Sequence, residues 1–587
     1  MSKRLIPFGE ISESFTGLRD KGIYYVDKTG FIPFLIEQKR EITVVTRPRR
    51  FGKTLMLRTL EAFFEYRLED GEPVDNRRYF EGLKVMDAGE AVLREIGQYP
   101  VISLSFKDVW GDSYQKVVEQ LNEAVRQACR PHKAIFRASD ALSDIERAAL
   151  QSYQDGLPTE ANVRQFLGKY SEWLNVVTNR KTVILLDEYD VPLQKAAIYD
   201  MHHPGSQLFD ETVGLIGNFI SSGFKSNGNL AYGLISGCMR VAKESIFTGM
   251  NNPGVIDVMS KLPDEFWGFT EDEVKQMLSY YGLDDKYSDI EQWYDGYRFG
   301  GRKVFNPWSL LNAIRGLVNE EGESAIQPYW VMTSGNDIID DVIERNPQHR
   351  ETLAKMMHGE TIWVKIYKNI SYRELRRNPD AIWSFLLYTG YLKALSVRKD
   401  EDNLIEAEVT VPNVEVTTVI RSSLQHWWKY IHLAKYDAHA LLENLWNGDT
   451  SGIVREIVGI MDESISVNDA KEDFYHGMMV GVLRTLCTVK SNREIGEGRP
   501  DIVVKDGHRG IILELKCLVP SQVNQLPLEQ QFVKVPAMMT KLLDEAETQI
   551  RTRYYIEGLM FEEPNITEVK AYAVCFCKKR CMVRLVS

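Results

Sequence analysis

The sequence predicts an α/β protein with a mainly parallel sheet in its N-terminal half, a more helical middle and a smaller αβ module at its C-terminus. Three observations carry this. Short apolar runs alternate with amphipathic stretches over the first half of the chain. Between about 340 and 460 the pattern turns helical with short β-like pieces. Two apolar strands joined by a tight polar turn then follow at 501–516, flanked by helical stretches. At ~100–200 residues per domain, 587 residues make three or four domains. The expected boundaries are 1–340, 341–455 and 456–587.

In the first half, EITVVT (41–46), YPVISLSF (99–106), KTVILLD (181–187) and NLAYGLIS (229–236) read as buried strands. TLMLRTLEAFFEYRLE (54–69) and VVEQLNEAVRQACR (117–130) read as amphipathic helices between them. Strands alternating with helices build a parallel sheet with both faces covered. In the middle, IWSFLLYTGYLKAL (382–395) and LIEAEVTVPN (404–413) suggest helices plus a small hairpin, winged-helix-like. The last region reads as a helix (471–487), the hairpin, a helix (535–554) and a final strand (568–577).

Composition sets limits. Hydrophobic residues make up 44% and charged residues 26%, an ordinary globular balance. The N-terminus lacks a secretory signal pattern, and no apolar run approaches ~18 residues, so the expectation is a cytoplasmic chain with no membrane partner. A net charge of −12 excludes a simple polycation. The seven cysteines fit reduced thiols. Cys575, Cys577 and Cys581 fit either a metal site or buried thiols on a final strand, the second being favoured.

Arg47-Pro48-Arg49-Arg50-Phe51-Gly52-Lys53-Thr54 lies between a strand and a helix. In a P-loop (G-x-x-x-x-G-K-[ST]), backbone N–H groups wrap phosphates, the lysine meets the β/γ oxygens and the hydroxyl binds Mg²⁺. Arg47 occupies the first glycine position, a degenerate match. About 130 residues on, VILLDE (183–188) ends an apolar strand in two carboxylates. Asp187 is placed to hold Mg²⁺ and Glu188 to orient the attacking water. Together the two segments predict a P-loop NTPase sheet domain that binds ATP.

At this point the sequence resembles the AAA-ATPase-like proteins. The similar blocks are YYVDKT (24–29), TRPRRFGKT (46–54), LLDEYDVPL (185–193), GFTEDEV (268–274), WYDGYRFG (293–300) and FNPWSL (305–310). In that family an arginine at the first glycine position is ordinary. The resemblance implies ATP–Mg²⁺ binding by Gly52, Lys53, Thr54, Asp187 and Glu188, with Ser236 as a γ-phosphate sensor. Arg240 is assigned to phosphate or to an ion pair, and Asp190 to a structural role. Arg47, Arg49 and Arg50 either brace the triphosphate or meet a neighbouring subunit or substrate, which leaves a homo-oligomer open. Trp293, Tyr294, Tyr297, Phe299 and Trp308 serve base stacking or core packing, packing being the commoner use.

The hairpin carries the second constellation. Pro500-Asp501 is followed after twelve residues by Glu514-Leu515-Lys516. A strand period of two puts Glu514 and Lys516 on one face, with Asp501 opening the partner strand. Two converging carboxylates suit a hard dication, Mg²⁺ or Mn²⁺. Such an ion lowers the pKa of a bound water and neutralises phosphate charge, and Lys516 orients the water or stabilises the leaving charge. Upstream, Glu472 and His476 share a helix face at i, i+4. Glu472 is expected as a third metal oxygen and His476 as a water- or phosphate-orienting group. The segment from about 460 to 580 resembles the C-terminal PD-(D/E)XK nuclease fold, which implies accessory roles for Gln549 and Tyr554. The expected function is metal-dependent phosphodiester hydrolysis in nucleic acid, DNA favoured over RNA, under ATP control. The alternative is a regulatory NTPase switch that binds nucleic acid or protein without cutting it.

Overall fold

The computed structural model describes residues 13–156, 158–239, 250, 253–261, 264–319, 325–330, 347–357, 359–367, 370, 378–400, 403–420, 438–464, 472–483, 487–491, 495–496, 498–519, 522–523, 525 and 528–586. It divides into two compact units, 1–338 with 359–417, and 339–358 with 418–587. The segment expected as a middle domain, 341–455, is thus shared between them.

The first unit is built on strand β1 (Ile42–Thr46), whose five residues are all buried. A small hairpin, β2 (Leu68–Glu69) and β3 (Glu72–Pro73), follows the first long helix. Then come β4 (Val101–Ser105), β5 (Thr182–Asp187), β6 (Leu230–Gly237) and β7 (Gly254–Ile256). The sheet order is β4-β5-β6-β1-β7, with every neighbouring pair parallel. Runs such as Thr-Val-Ile-Leu-Leu-Asp are buried throughout because helices cover both faces of such a sheet. The four expected strands are all present. β7 was not foreseen, since three residues give too short a pattern to read.

Helix Lys53–Phe64 stops five residues before the expected end. Its apolar stripe ends at Phe63 and Phe64, and the backbone then turns into sheet-like pairing, with Tyr66 N–H donating to Tyr99 O at 2.7 Å. The expected second helix is Tyr114–Cys129.

Helices Glu271–Tyr281, Tyr287–Tyr294 and Pro307–Val318 form a separate core with Phe269 and Phe305. A hairpin, β8 (Tyr297–Phe299) and β9 (Arg302–Val304), adjoins it. Here packing claims most of the aromatic cluster: Tyr294, Tyr297 and Phe299 are buried.

Beyond these, β10 (Ile362–Ile366), β11 (Lys393–Lys399) and β12 (Ile405–Thr410) form an antiparallel sheet in the order β10-β12-β11. Helix Ala381–Thr389 lies between β10 and β11 in the chain. Within the 382–395 stretch the helix ends at Thr389 because Gly390 adopts a left-handed backbone, φ +91°. A Cβ at Gly390 would lie 2.9 Å from Pro48 Cβ, so this turn fits tightly against the loop after β1.

The second unit has a five-stranded sheet, β13 (Thr488–Ser491), β14 (Ile502–Asp506), β15 (Arg509–Cys517), β16 (Glu568–Cys577) and β17 (Arg580–Val586), in that order. Only β15 and β16 run parallel. Alternation along the hairpin is strict. Ile502, Val504, Ile511, Leu513 and Leu515 join one core, with helices Ala438–Asn447, Thr450–Ser464 and Glu472–Leu483. Val503 and Ile512 join the other, with helices Leu528–Thr552 and Tyr555–Glu562. The final strand expected at 568–577 is followed by β17, whose pattern is too polar to be read in advance. Cys575 and Cys577 lie in one core and Cys581 in the other, all buried and free, as the thiol reading expected. No described helix is long and apolar enough to cross a membrane.

Candidate functional site

The first site sits at the C-terminal ends of β1, β5 and β6, where ligands bind in open parallel sheets. Gly52 takes a left-handed backbone, φ +78°, and caps helix Lys53–Phe64, so the helix N-terminus begins where the loop lines the cavity. Lys53 Nζ donates to Arg47 O at 3.0 Å and Pro48 O at 2.9 Å. Thr54 Oγ1 donates to Asp187 Oδ2 at 2.7 Å. The sequence readings of Gly52, Lys53, Thr54 and Asp187 therefore meet in one place. Thr54 and Asp187 offer the hard oxygen pair that Mg²⁺ takes, so the residues fit that ion.

Glu188 borders the cavity in a left-handed backbone, φ +54°, unusual for a residue of its size. Burial raises its carboxyl pKa, and Asp187 beside it adds to the effect while Lys53 opposes it. Ser236, expected as a γ-phosphate sensor, stands at the end of β6. It is buried at 1% exposure, and its hydroxyl donates to Asp187 Oδ1. It therefore orients Asp187. Asp190 accepts the backbone N–H groups of Cys238 at 2.9 Å and Met239 at 3.1 Å, which fixes the chain after β6. Arg240 lies outside the described residues.

The three loop arginines part company. Arg49 donates to Gln194 Oε1 at 2.8 Å. Arg50 stacks over Trp308, 4.2 Å from the ring centroid, and both line the cavity. Arg47 does not line it. It is fully buried, with its guanidinium 4.7 Å from the Phe299 centroid and 5.2 Å from Trp267. Desolvation lowers its pKa to about 10, with Asp257 and Asp264 opposing. An arginine at the first glycine position is thus an internal strut of the loop. Arg47→Ala should cost roughly 3 kcal/mol, the scale of emptying a large buried site, and Arg47→Lys should not restore it because the flat stacking is lost. Denaturant midpoints check this; an unmoved midpoint in both variants would remove the strut.

The cavity holds about 430 Å³. Part of its wall is apolar and aromatic, formed by Tyr24, Val26, Phe269, Trp308 and Leu311. Two of the sequence blocks meet there. Lys28 Nζ donates to Glu273 Oε2 and Glu265 O, both at 2.6 Å, tying 24–29 to the start of helix Glu271–Tyr281. The arrangement suits a nucleotide, with phosphates on the loop and an aromatic-walled space beyond them.

The second site lies on the C-terminal hairpin. Glu514 is 1% exposed, and Lys516 Nζ donates to its Oε1 at 3.1 Å. Glu514 Oε2 is buried with no hydrogen-bond partner among the described residues. Burial, reinforced by Asp501, pushes its carboxyl pKa up to about 7. Asp501 Oδ2 accepts Leu515 N–H at 2.7 Å across the hairpin. Burial works against the Lys516 ammonium, but Glu514, then Glu472 and Asp501, hold its pKa above the usual value. A partnerless buried carboxylate oxygen beside a second carboxylate is costly without a cation, so the pair fits a hard divalent ion.

Glu472, expected as a third metal oxygen, lies on the helix that covers the face of Leu513 and Leu515, while Glu514 alternates onto the face of Ile512. Among the described residues no three His, Cys, Asp or Glu side chains form a metal-sized group. Glu472 acts on Lys516 through charge. His476 Nε2 lies 3.0 Å from both Asp501 O and Ser491 Oγ, which makes it a support for the hairpin entrance. Gln549 Nε2 donates to Tyr555 Oη at 3.3 Å. Tyr555 is buried and its hydroxyl feels Glu514 and Asp501, while Tyr554 is 55% exposed. Two adjacent tyrosines left the sequence without a signal for which one turns inward.

Comparison with known proteins agrees with this division. Residues 10–247 match the family model described as "Predicted AAA-ATPase", and residues 470–585 match one described as "PD-(D/E)XK nuclease superfamily". An "Uncharacterized protein in vnfD 5'region" of Azotobacter chroococcum mcd 1 is 28% identical over 366 residues. That alignment spans 62% of this chain and 60% of the relative.

Proposed function

We propose that this chain, with an AAA-ATPase-like module and a PD-(D/E)XK module, binds ATP–Mg²⁺ and hydrolyses phosphodiester bonds of nucleic acid under nucleotide control. DNA is favoured over RNA. The single observation that carries the cleavage reading is the buried Glu514 carboxylate, partnerless at Oε2 and flanked by Asp501 and Lys516. Asp501 and Glu514 would hold Mg²⁺ or Mn²⁺. The ion, when bound, supplies charge to the phosphate and lowers the pKa of a bound water. Lys516 places an ammonium at the same point, where negative charge develops on phosphate oxygens. His476 fixes the backbone that presents Asp501, and Gln549 fixes Tyr555 beside it.

The test is cleavage of single- and double-stranded DNA and RNA by the full chain in Mg²⁺ or Mn²⁺, with and without ATP. Asp501→Ala and Lys516→Ala should abolish cleavage and leave ATP affinity unchanged. Wild-type rates in both variants would put the chemistry elsewhere. A second reading, a nucleotide switch that binds nucleic acid or protein without cutting, is favoured by the lack, among the described residues, of a third ligand grouped with the carboxylate pair. Nucleic-acid binding with no cleavage in either metal would select it.

A further inference from the structure

The cations bordering the nucleotide cavity are nearly all engaged. Lys53 is held by two loop carbonyls, Arg49 by Gln194, Arg50 by Trp308 and Lys28 by Glu273. Among the described residues Lys195, like Arg50, is held only through an aromatic ring, but that ring stands at the solvent-exposed rim. The lysine lies on helix Val191–His202, just past Glu188, and lines the same cavity. Among the described residues it makes no ion pair or side-chain hydrogen bond. Its ammonium rests over the ring of Trp110, 4.8 Å from the centroid. Trp110 follows β4, which places it on the rim at the strand ends, and it is 45% exposed. Lys107, from the same connection, also lines the cavity but is open to solvent.

We infer that Lys195 is a catalytic cation for nucleoside triphosphate hydrolysis, leaving Trp110 to meet the γ-phosphate beside Glu188. This rests on the nucleotide reading above and goes beyond it. The location follows from the lining: Lys195 borders the same cavity as Glu188, Lys53 and Thr54, whose hydroxyl donates to Asp187. Lys107 and Lys195 line the cavity together with Glu188, and the charges of Glu188 and of each lysine act on one another. Burial depresses the Lys195 pKa, while Asp108 opposes. An aromatic face holds an ammonium by only about 0.5–2 kcal/mol, weaker than a phosphate contact in a partly dry site. The resting contact is therefore readily exchanged.

The step balances. The oxygen of water bonds to the γ-phosphorus, and the bond from that phosphorus to the bridging oxygen breaks. The electron pair stays on the β-phosphate of the diphosphate, and the water proton passes to the Glu188 carboxylate. The Lys195 ammonium neutralises charge gathered on the γ-oxygens during transfer.

The test uses the full chain with Mg²⁺, titrated calorimetrically with ADP and with AMPPNP, a non-hydrolysable triphosphate. Lys195→Met should weaken AMPPNP at least ~10-fold while ADP shifts less than ~2-fold, and should lower kcat about 100-fold. Lys195→Arg should restore part of both. Tryptophan emission should differ between the ADP and AMPPNP complexes of wild type, and this difference should vanish in Lys195→Met and in Trp110→Phe. Equal weakening of both nucleotides, or unchanged kcat, overturns the inference alone. Failure of wild type to bind either nucleotide overturns the nucleotide reading, and this inference with it.

Discussion

Glu514→Gln should stabilise the metal-free C-terminal sheet above neutral pH while abolishing cleavage. Burial sets the folded-state pKa of Glu514 at about 7, against the usual 4.5. Between those values the folded chain keeps a proton that the unfolded chain has lost. Stability therefore falls as pH rises through this window, and the full cost is reached above about 7. The size is roughly 3 kcal/mol, from about 1.4 kcal/mol per pKa unit. A neutral amide removes the cost. Hydrogen exchange of the β14 and β15 amides in EDTA at pH 5 and pH 8 measures it directly. Corrected for intrinsic rates, wild-type protection should drop with pH and the variant's should not. Mn²⁺ should restore wild-type protection at pH 8, more strongly at pH 8 than at pH 6, because the ion requires the ionised carboxylate. Loss of cleavage should exceed the ~10–100-fold typical of residues behind the ligands. The same pH slope in both proteins would mean that Glu514 is not the titrating group.

What the sequence could say about these sites followed from how local each signal is. The four long strands of the first sheet were legible because each is an apolar run bounded by polar turns. The Thr54–Asp187 contact was legible because two segments, each at a strand's C-terminal end, must meet in a parallel sheet. The hairpin was legible because Glu514 and Lys516 are two residues apart and Asp501 faces them across one turn. Signals that depend on which face an element presents were not legible. Glu472 and His476 share a helix face, but the side of β15 that this helix covers is a tertiary fact. Arg47 matched a degenerate motif position, and nothing in the chain before Trp267 and Phe299 announces that it points inward. Ser236 stood at the right strand end, yet its hydroxyl is turned to Asp187. The Lys195–Trp110 pair joins residues from two connections with no shared pattern.

Lys53→Ala should reduce ATP affinity by at least about a hundredfold and leave the C-terminal sheet folded. The ammonium is buried in the loop, holding Arg47 O at 3.0 Å and Pro48 O at 2.9 Å. Exchanging those carbonyls for phosphate oxygens replaces neutral acceptors with charged ones. Each charge-assisted contact is worth about 1.5–3 kcal/mol, so losing even two of the smaller kind exceeds the ~2.7 kcal/mol that a hundredfold represents. Alanine leaves the two carbonyls without their donor, so some loosening of the loop is expected too. The sheet beneath should hold, because β1 is buried along its whole length and paired on both sides. Calorimetric titration with ATP–Mg²⁺ gives the affinity, and hydrogen exchange of β14–β16 reports on the C-terminal module. Cleavage then separates control from coexistence. If nucleotide governs the nuclease, ATP should change the wild-type rate and have no effect on Lys53→Ala, although both chains retain Asp501, Glu514 and Lys516. An ATP effect that survives in the variant would place the controlling nucleotide somewhere other than this loop.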